Sequence, residues 1–228
     1  MRDSLETSSS PTLEATSPMP GGRFQAVANL ELPPLPEPDY ERKWNESKHG
    51  VLNVLFIITI ILVLTNFVVL NQRVGTLPVV ARWVCFLSIH AMAFLALLCL
   101  ERVLRADPGV VERSDESCLP IPDSVRERLI ERRSLDDLRN LYLDDETRGS
   151  YCVRCCVWRP PKRRSHHCST CQRCVVDFDH HCGFYGRCIA GTWRTGNMPY
   201  FFALILLAWA SVLVVLVFFV YALVHGPS

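Results

Sequence analysis

Charge of one sign is what the 228-residue sequence most plainly lacks. Lys and Arg number 24 against 23 Asp and Glu, a formal net charge of +1, which excludes a nucleic-acid binder relying on bulk positive charge. A second lack is local. The stretches 51–70, 79–100 and 199–224 carry one charged residue between them, Arg82, and runs of that kind argue against a free-standing soluble enzyme. Met1–Ser10 has no apolar core, so no secretory signal peptide is expected there. Without one, the eleven cysteines do not read as a secreted disulfide scaffold. Large apolar residues are scarce over 1–40, which holds seven prolines. Such a segment buries too little surface to offset chain entropy, and a disordered tail is expected.

What is present begins with the apolar runs. Residues 51–70 are apolar all round and, at about 1.5 Å per residue, long enough to cross about 30 Å of hydrocarbon. The short break 71–78 makes 79–100 an antiparallel neighbour, with Arg82 near its end, where a long side chain snorkels. The third run, 199–224, includes Tyr200, Trp209 and Tyr221. The expected fold class is a mainly α membrane protein: three transmembrane helices with a cysteine-rich domain between the second and third. Of the 24 basic residues, 17 lie in 101–198. Arg42, Lys43 and Lys48 precede the first run, whereas 71–78 has Arg73 alone. The N-terminus and the large loop are therefore expected on the cytosolic face. Within the linker 101–150, Ser124-x-x-Glu127 resembles a capping box. Val125, Leu129, Ile130, Leu138, Leu141 and Tyr142 then predict an amphipathic helix over 123–143, packed on its own domain or lying on the membrane surface.

Eight of the eleven cysteines fall between Cys152 and Cys188, mixed with histidines. Cys152-x-x-Cys155, Cys168-x-x-Cys171 and Cys171-x-x-Cys174 each place two thiolates on one side of a tight turn, as tetrahedral zinc requires. Together with His166, His167, His180 and His181 the segment 151–198 supplies more ligands than two four-coordinate sites consume. Some Cys and His therefore stay outside the metal shells. Asp179-His180-His181-Cys182 places an acid, a base and a thiol in four consecutive residues, the layout of an activated nucleophile. The spacing leaves two roles open for Cys182: nucleophile or further zinc ligand.

Asp179-His180-His181-Cys182, set in a cysteine-rich loop between apolar spans, resembles the DHHC family of protein S-acyltransferases (palmitoyltransferases). Asp107-Pro108-Gly109 is similar to that family's DPG motif, and Arg164-Ser165-His166-His167-Cys168 also follows its pattern. The resemblance covers about 51–224. It implies two structural zinc ions, one held by Cys152, Cys155, His167 and Cys174, the other by Cys168, Cys171, His181 and Cys188. It makes Cys182 the acylated nucleophile, His180 its base and Asp179 the residue orienting that base. The implied activity moves a fatty acyl group from acyl-CoA, palmitoyl-CoA in the type case, to Cys182. From there it passes to cytosolic cysteines of membrane-associated proteins. Membrane lipid is a further partner, nucleic acid is not, and the implied location is the Golgi, the endoplasmic reticulum or the plasma membrane.

Zinc held by three thiolates and one neutral imidazole carries a charge of about −1. Arg159, Lys162, Arg163, Arg164, Arg173 and Arg187 have two roles open to them. They compensate that charge, or they hold CoA phosphates or anionic headgroups. Cys156 reads as a second lipidated thiol or a small core residue.

The sequence departs from the family pattern at several points. The interval from Cys155 to His167 is two residues longer, so a bulge is expected at Pro160–Arg164. Gly183-Phe184 replaces Pro-Trp, Arg187 replaces Asn, and Asn197-x-x-x-Phe201 starts about four residues late. A fourth span and a TTxE-type motif are expected of the family but do not occur, which suggests either a truncated chain or a three-span member. The alternative to an enzyme is a non-catalytic, membrane-anchored zinc module or accessory subunit.

Overall fold

The structure is a computed structural model that describes residues 30–70, 78–142 and 149–225. Among these, three helices are long and apolar enough to cross a membrane: α1 (Tyr40–Leu70), α2 (Val79–Arg105) and, near the end of the chain, α5 (Met198–His225). Between α2 and α5 the described residues form two short helices, α3 (Asp115–Cys118) and α4 (Asp123–Ile130), and eight short strands. These are β1 (Leu141–Tyr142), β2 (Ser150–Cys152), β3 (Val157–Arg159), β4 (His166–Cys168), β5 (Arg173–Val175), β6 (Phe178–Cys182), β7 (Arg187–Thr192) and β8 (Thr195–Gly196). They pair antiparallel as β1-β2-β3, β4-β5 and β6-β7-β8. The expected break 71–78 lies outside the described residues except for Pro78.

The DPG turn carries the chain from α2 into this small domain. Asp107 Oδ1 accepts from the N–H groups of Gly109 and Val110, both at 3.1 Å, and Gly109 sits at φ +101°, a conformation suited to glycine. The Gly109 carbonyl then accepts from Val176 N at 2.9 Å, and Val110 bridges to Val175. At the other end, Asn197 is fully buried: its Nδ2 donates to Cys188 O at 2.9 Å, and its Oδ1 accepts from Ala190 N at 3.0 Å. One side chain therefore fixes β7 to the start of α5.

Three expectations need correction. Of the tail 1–40, residues 1–29 lie outside the described residues, but 30–39 form an extended strap on the domain. Leu30, Leu32 and Leu35 pack into its core; Pro33 O accepts from Arg113 at 2.7 Å and Pro36 O from Arg173 at 2.8 Å. Proline pre-sets an extended backbone and keeps its carbonyl as an acceptor, so composition that prevents a core does not prevent a strap.

The first helix starts at Tyr40, well before residue 51. Asp39 caps it, its Oδ1 accepting from Arg42 N at 3.0 Å. Finally, the helix expected over 123–143 stops at Ile130, with Arg132 in a left-handed conformation at φ 53°. No side chain caps α4; the capping box is instead Ser114–Ser117, on α3. Leu135, Leu138 and Leu141 still reach the core around Val125 and Tyr151, from turns and a strand instead of a helix face.

Candidate active site and metal centres

Strand alternation builds the clusters. Successive side chains of a strand face opposite sides, so β4 sends His167 to one cluster and Cys168 to the other. Each histidine sits opposite a cysteine of the paired strand, His167 opposite Cys174 and His181 opposite Cys188. A C-x-x-C turn completes each set. Cys152 and Cys155 join the first, Cys168 and Cys171 the second, and within each set the ligand atoms lie within 4.8 Å of one another.

The distances fit a tetrahedral ion. Zinc bond lengths place sulfur atoms about 3.8 Å apart, and sulfur and nitrogen about 3.5 Å apart. In the first cluster His167 Nδ1 lies 3.7, 3.2 and 4.0 Å from the sulfurs of Cys152, Cys155 and Cys174. In the second, His181 Nδ1 lies 3.4, 3.5 and 3.8 Å from those of Cys168, Cys171 and Cys188, and the Cys188 and Cys171 sulfurs are 3.6 Å apart. Hydrogen bonds among the thiols of each set push Cys152 and Cys168 down and push Cys174, Cys171 and Cys188 up, so that each set divides its protons unequally. An ionised thiol is the form that metals bind. Both sets are therefore able to hold a metal ion and suit structural zinc.

Cys182 belongs to neither cluster. It is buried in an apolar group formed by Ala96, Leu100 and Val103 of α2, Leu204 of α5, Tyr185 and Ile189. Strand alternation puts His180 and Cys182 on one side of β6 and His181 on the other. A register shift between Phe178 and His180 leaves Asp179 as an extra residue. Such a bulge re-aims its side chain, and Asp179 Oδ2 lies 2.8 Å from Nδ1 of the adjacent His180. Nε2 of His180 is left as the basic nitrogen. The imidazole meets Phe201 edge-on at 5.7 Å. Burial, and next the neighbouring Cys182, push the Tyr185 phenol up to about 12.

Beside this group an apolar cavity of about 220 Å³ runs between α1, α2 and α5, with Phe184 and Tyr185 at one end and Ser211 among its lining residues. Phe184, two positions after Cys182, thus lies against the cavity. Cys156 is fully buried and donates to Val153 O at 3.3 Å, which makes it a core residue.

The candidate basic residues do not share one cleft. Arg159 is 6% exposed, its Nε buried without a hydrogen-bond partner among the described residues, and it lines a cleft of about 420 Å³ with Ser114, Ser117 and Trp158. Arg163 pairs with Asp177. Lys162, at φ 59°, forms the expected bulge, and Arg164 O accepts from Phe178 N at 2.8 Å. Arg173 lies in a separate cleft of about 680 Å³ with Lys43 and Arg187. Arg187 donates to Ala106 O at 2.8 Å.

Residues 145–227 match the family model described as DHHC palmitoyltransferase. Over these residues the chain is similar to the DHHC family. The match is shorter than the 51–224 that the motifs suggest, and α1, α2 and the DPG turn lie outside it. Palmitoyltransferase ZDHHC8 of Homo sapiens is 38% identical over 129 residues, which cover 54% of this chain and 14% of that protein. Palmitoyltransferase ZDHHC9 of Bos taurus is 34% identical over 127 residues, 51% of this chain and 32% of that protein. The chain spans less than a third of the length of these relatives.

Motif reasoning missed Glu46 of α1, whose Oε2 lies 3.1 Å from His181 Nε2. The pair is separated by 135 positions, and the only local signal was an Arg42/Glu46 pair at i,i+4 spacing, 2.7 Å apart.

Proposed function

We propose that this protein is a membrane S-acyltransferase of the DHHC family that carries a fatty acyl group on Cys182. The observation that supports it best is a thiol outside both metal clusters, one strand position beyond a metal-facing histidine and beside an apolar cavity. In the first step His180 Nε2 takes the Cys182 proton, and Asp179, accepting from Nδ1–H, stabilises the imidazolium. The thiolate attacks the thioester carbonyl of an acyl-CoA. The new S–acyl bond forms as the bond to the CoA sulfur breaks, and CoA thiolate leaves with the proton from His180. In the second step the thiol of a membrane-associated protein attacks the acyl-Cys182 thioester, which regenerates Cys182. Cys152, Cys155, His167 and Cys174, and Cys168, Cys171, His181 and Cys188, would each hold a zinc ion, which would tie the loop ends together and keep six thiolates out of the reaction.

The acyl chain lies in the cavity between α1, α2 and α5, whose lining is apolar apart from the Tyr185 and Ser211 hydroxyls. Arg159, buried and without an ion-pair partner among the described residues, is the group best suited to a CoA phosphate, because an anion relieves the cost of a buried guanidinium. The zinc domain and the N-terminal strap face the cytosol, in line with the basic residues flanking the spans.

The test is incubation of purified protein with labelled palmitoyl-CoA. A hydroxylamine-sensitive label on the wild type, absent from Cys182→Ser, is expected. A wild type that never labels contradicts the reading and leaves the non-catalytic zinc module in its place.

A further inference from the structure

The face of α1 that meets the zinc domain includes Lys43, Glu46 and Gly50, spaced three and four residues apart and therefore on one side of the helix. It crosses the turn that follows Cys182. A Cβ on Gly50 would lie 1.8 Å from Phe184 O, and one on Gly186, at φ +62°, would lie 2.1 Å from Lys43 O. Between these two close approaches Glu46 reaches Gly183 and His181. A Cβ on Gly183 would meet Glu46 Oε1 at 3.6 Å, an ordinary contact. Glu46 Oε2 lies 3.1 Å from His181 Nε2, while Arg42 holds the other carboxylate oxygen at 2.7 Å. Both members of the Glu46–His181 pair are largely buried, with side chains 17% and 13% exposed.

We propose that Glu46 is a positioning residue for the second metal cluster. The inference rests on the reading of that cluster as a zinc site. With Nδ1 of His181 turned toward three sulfurs, the ring proton sits on Nε2 and is donated to Glu46. That bond fixes the tautomer and the ring plane and raises the basicity of the ligand nitrogen. It also ties the loop carrying Cys182 to the first membrane helix, because His181 and Cys182 are adjacent. The first cluster has no such support: His167 Nε2 is buried without a partner among the described residues. Among the described residues, helix docking and metal binding are therefore coupled at the second cluster and not at the first.

The experiment follows alkylation of individual cysteines by mass spectrometry after a chelator is added to the full chain in detergent. Wild type is compared with Glu46→Ala and Glu46→Gln. Losing such a partner typically weakens metal binding about 10–100-fold. Alkylation of Cys168, Cys171 and Cys188 is expected to quicken by about that factor in Glu46→Ala. Glu46→Gln, which keeps an acceptor oxygen but not the charge, should show a smaller acceleration. Cys152, Cys155 and Cys174 should keep the wild-type rate in both variants. A Glu46→Ala variant in which Cys168, Cys171 and Cys188 alkylate at the wild-type rate would leave Glu46 no role at the cluster. Equal acceleration of both groups would mean general destabilisation, and either result overturns the proposal. If wild-type cysteines alkylate as free thiols before chelator is added, the zinc reading itself fails and takes the inference with it.

Discussion

The two Cys₃His clusters are made of the same parts, a C-x-x-C turn and a His–Cys pair across a hairpin, yet their surroundings differ. All four members of the first are buried, within a core supplied by the domain itself and the 30–39 strap. The second is only half-buried, and its support comes from the membrane helices: Glu46 of α1 behind His181, Asn197 at the head of α5 behind Cys188. The first is a closed clamp that holds the domain. The second is a joint between the domain and the long apolar helices, and Cys182 sits on it. Neighbouring clusters of identical composition thus do different work, set by what lies behind their ligands.

The sharpest way to break this comparison is to remove one ligand from each. Structural zinc contributes about 10–16 kcal/mol in small metal-bound folds, comparable with the whole stability of a domain. Cys174→Ala should lose the first ion and leave the region 149–196 open to protease. Cys171→Ala should lose the second ion, keep protection around Cys152 and Cys155, and expose the α1 junction near Lys43. Metal analysis together with limited proteolysis distinguishes these outcomes from a single cooperative loss.

A milder test addresses the joint by its glycines. Gly186→Ala places a Cβ against Lys43 O in a left-handed backbone, and a destabilisation of about 1–3 kcal/mol is expected, read as a fall in Tm. Gly183→Ala, three residues away, meets only an ordinary contact with Glu46 and should stay within about 0.5 kcal/mol of wild type. Equal losses at the two positions would mean that α1 does not dock as described.

The smallest effect belongs to a surface pair. The Arg163 guanidinium holds the Asp177 carboxyl below its ordinary range, so the pair contributes at neutral pH and fades as the pH falls through that lowered value. Arg163→Ala should cost at most about 1 kcal/mol at neutral pH. Its Tm should converge with that of the wild type in acid, below the ordinary Asp value of about 3.9.

These contrasts also explain what could be read from the sequence. The C-x-x-C turns and the surplus of Cys and His were legible because spacing is local, and the family resemblance implied the two groups that the structure brings together; the strand alternation that sorts them was not. The apolar runs were legible for the same reason, each spanning its membrane length without help from distant residues. The strap 30–39 was not, because its bonds are made by proline carbonyls, which no residue type announces. Nor was the end of α4: Arg132 takes a left-handed conformation without a glycine or proline to mark it. Glu46 was hidden by distance along the chain. Its partner is identified only once α1 lies across the Gly183–Gly186 turn.

Eight Cys and His residues form the two clusters, and the Cys182 thiol is kept out of both. Native mass spectrometry of the full chain, wild type beside Cys182→Ser, tests this division most directly. The account predicts two zinc ions per chain in both proteins. A single ion in Cys182→Ser would make Cys182 a ligand and contradict it.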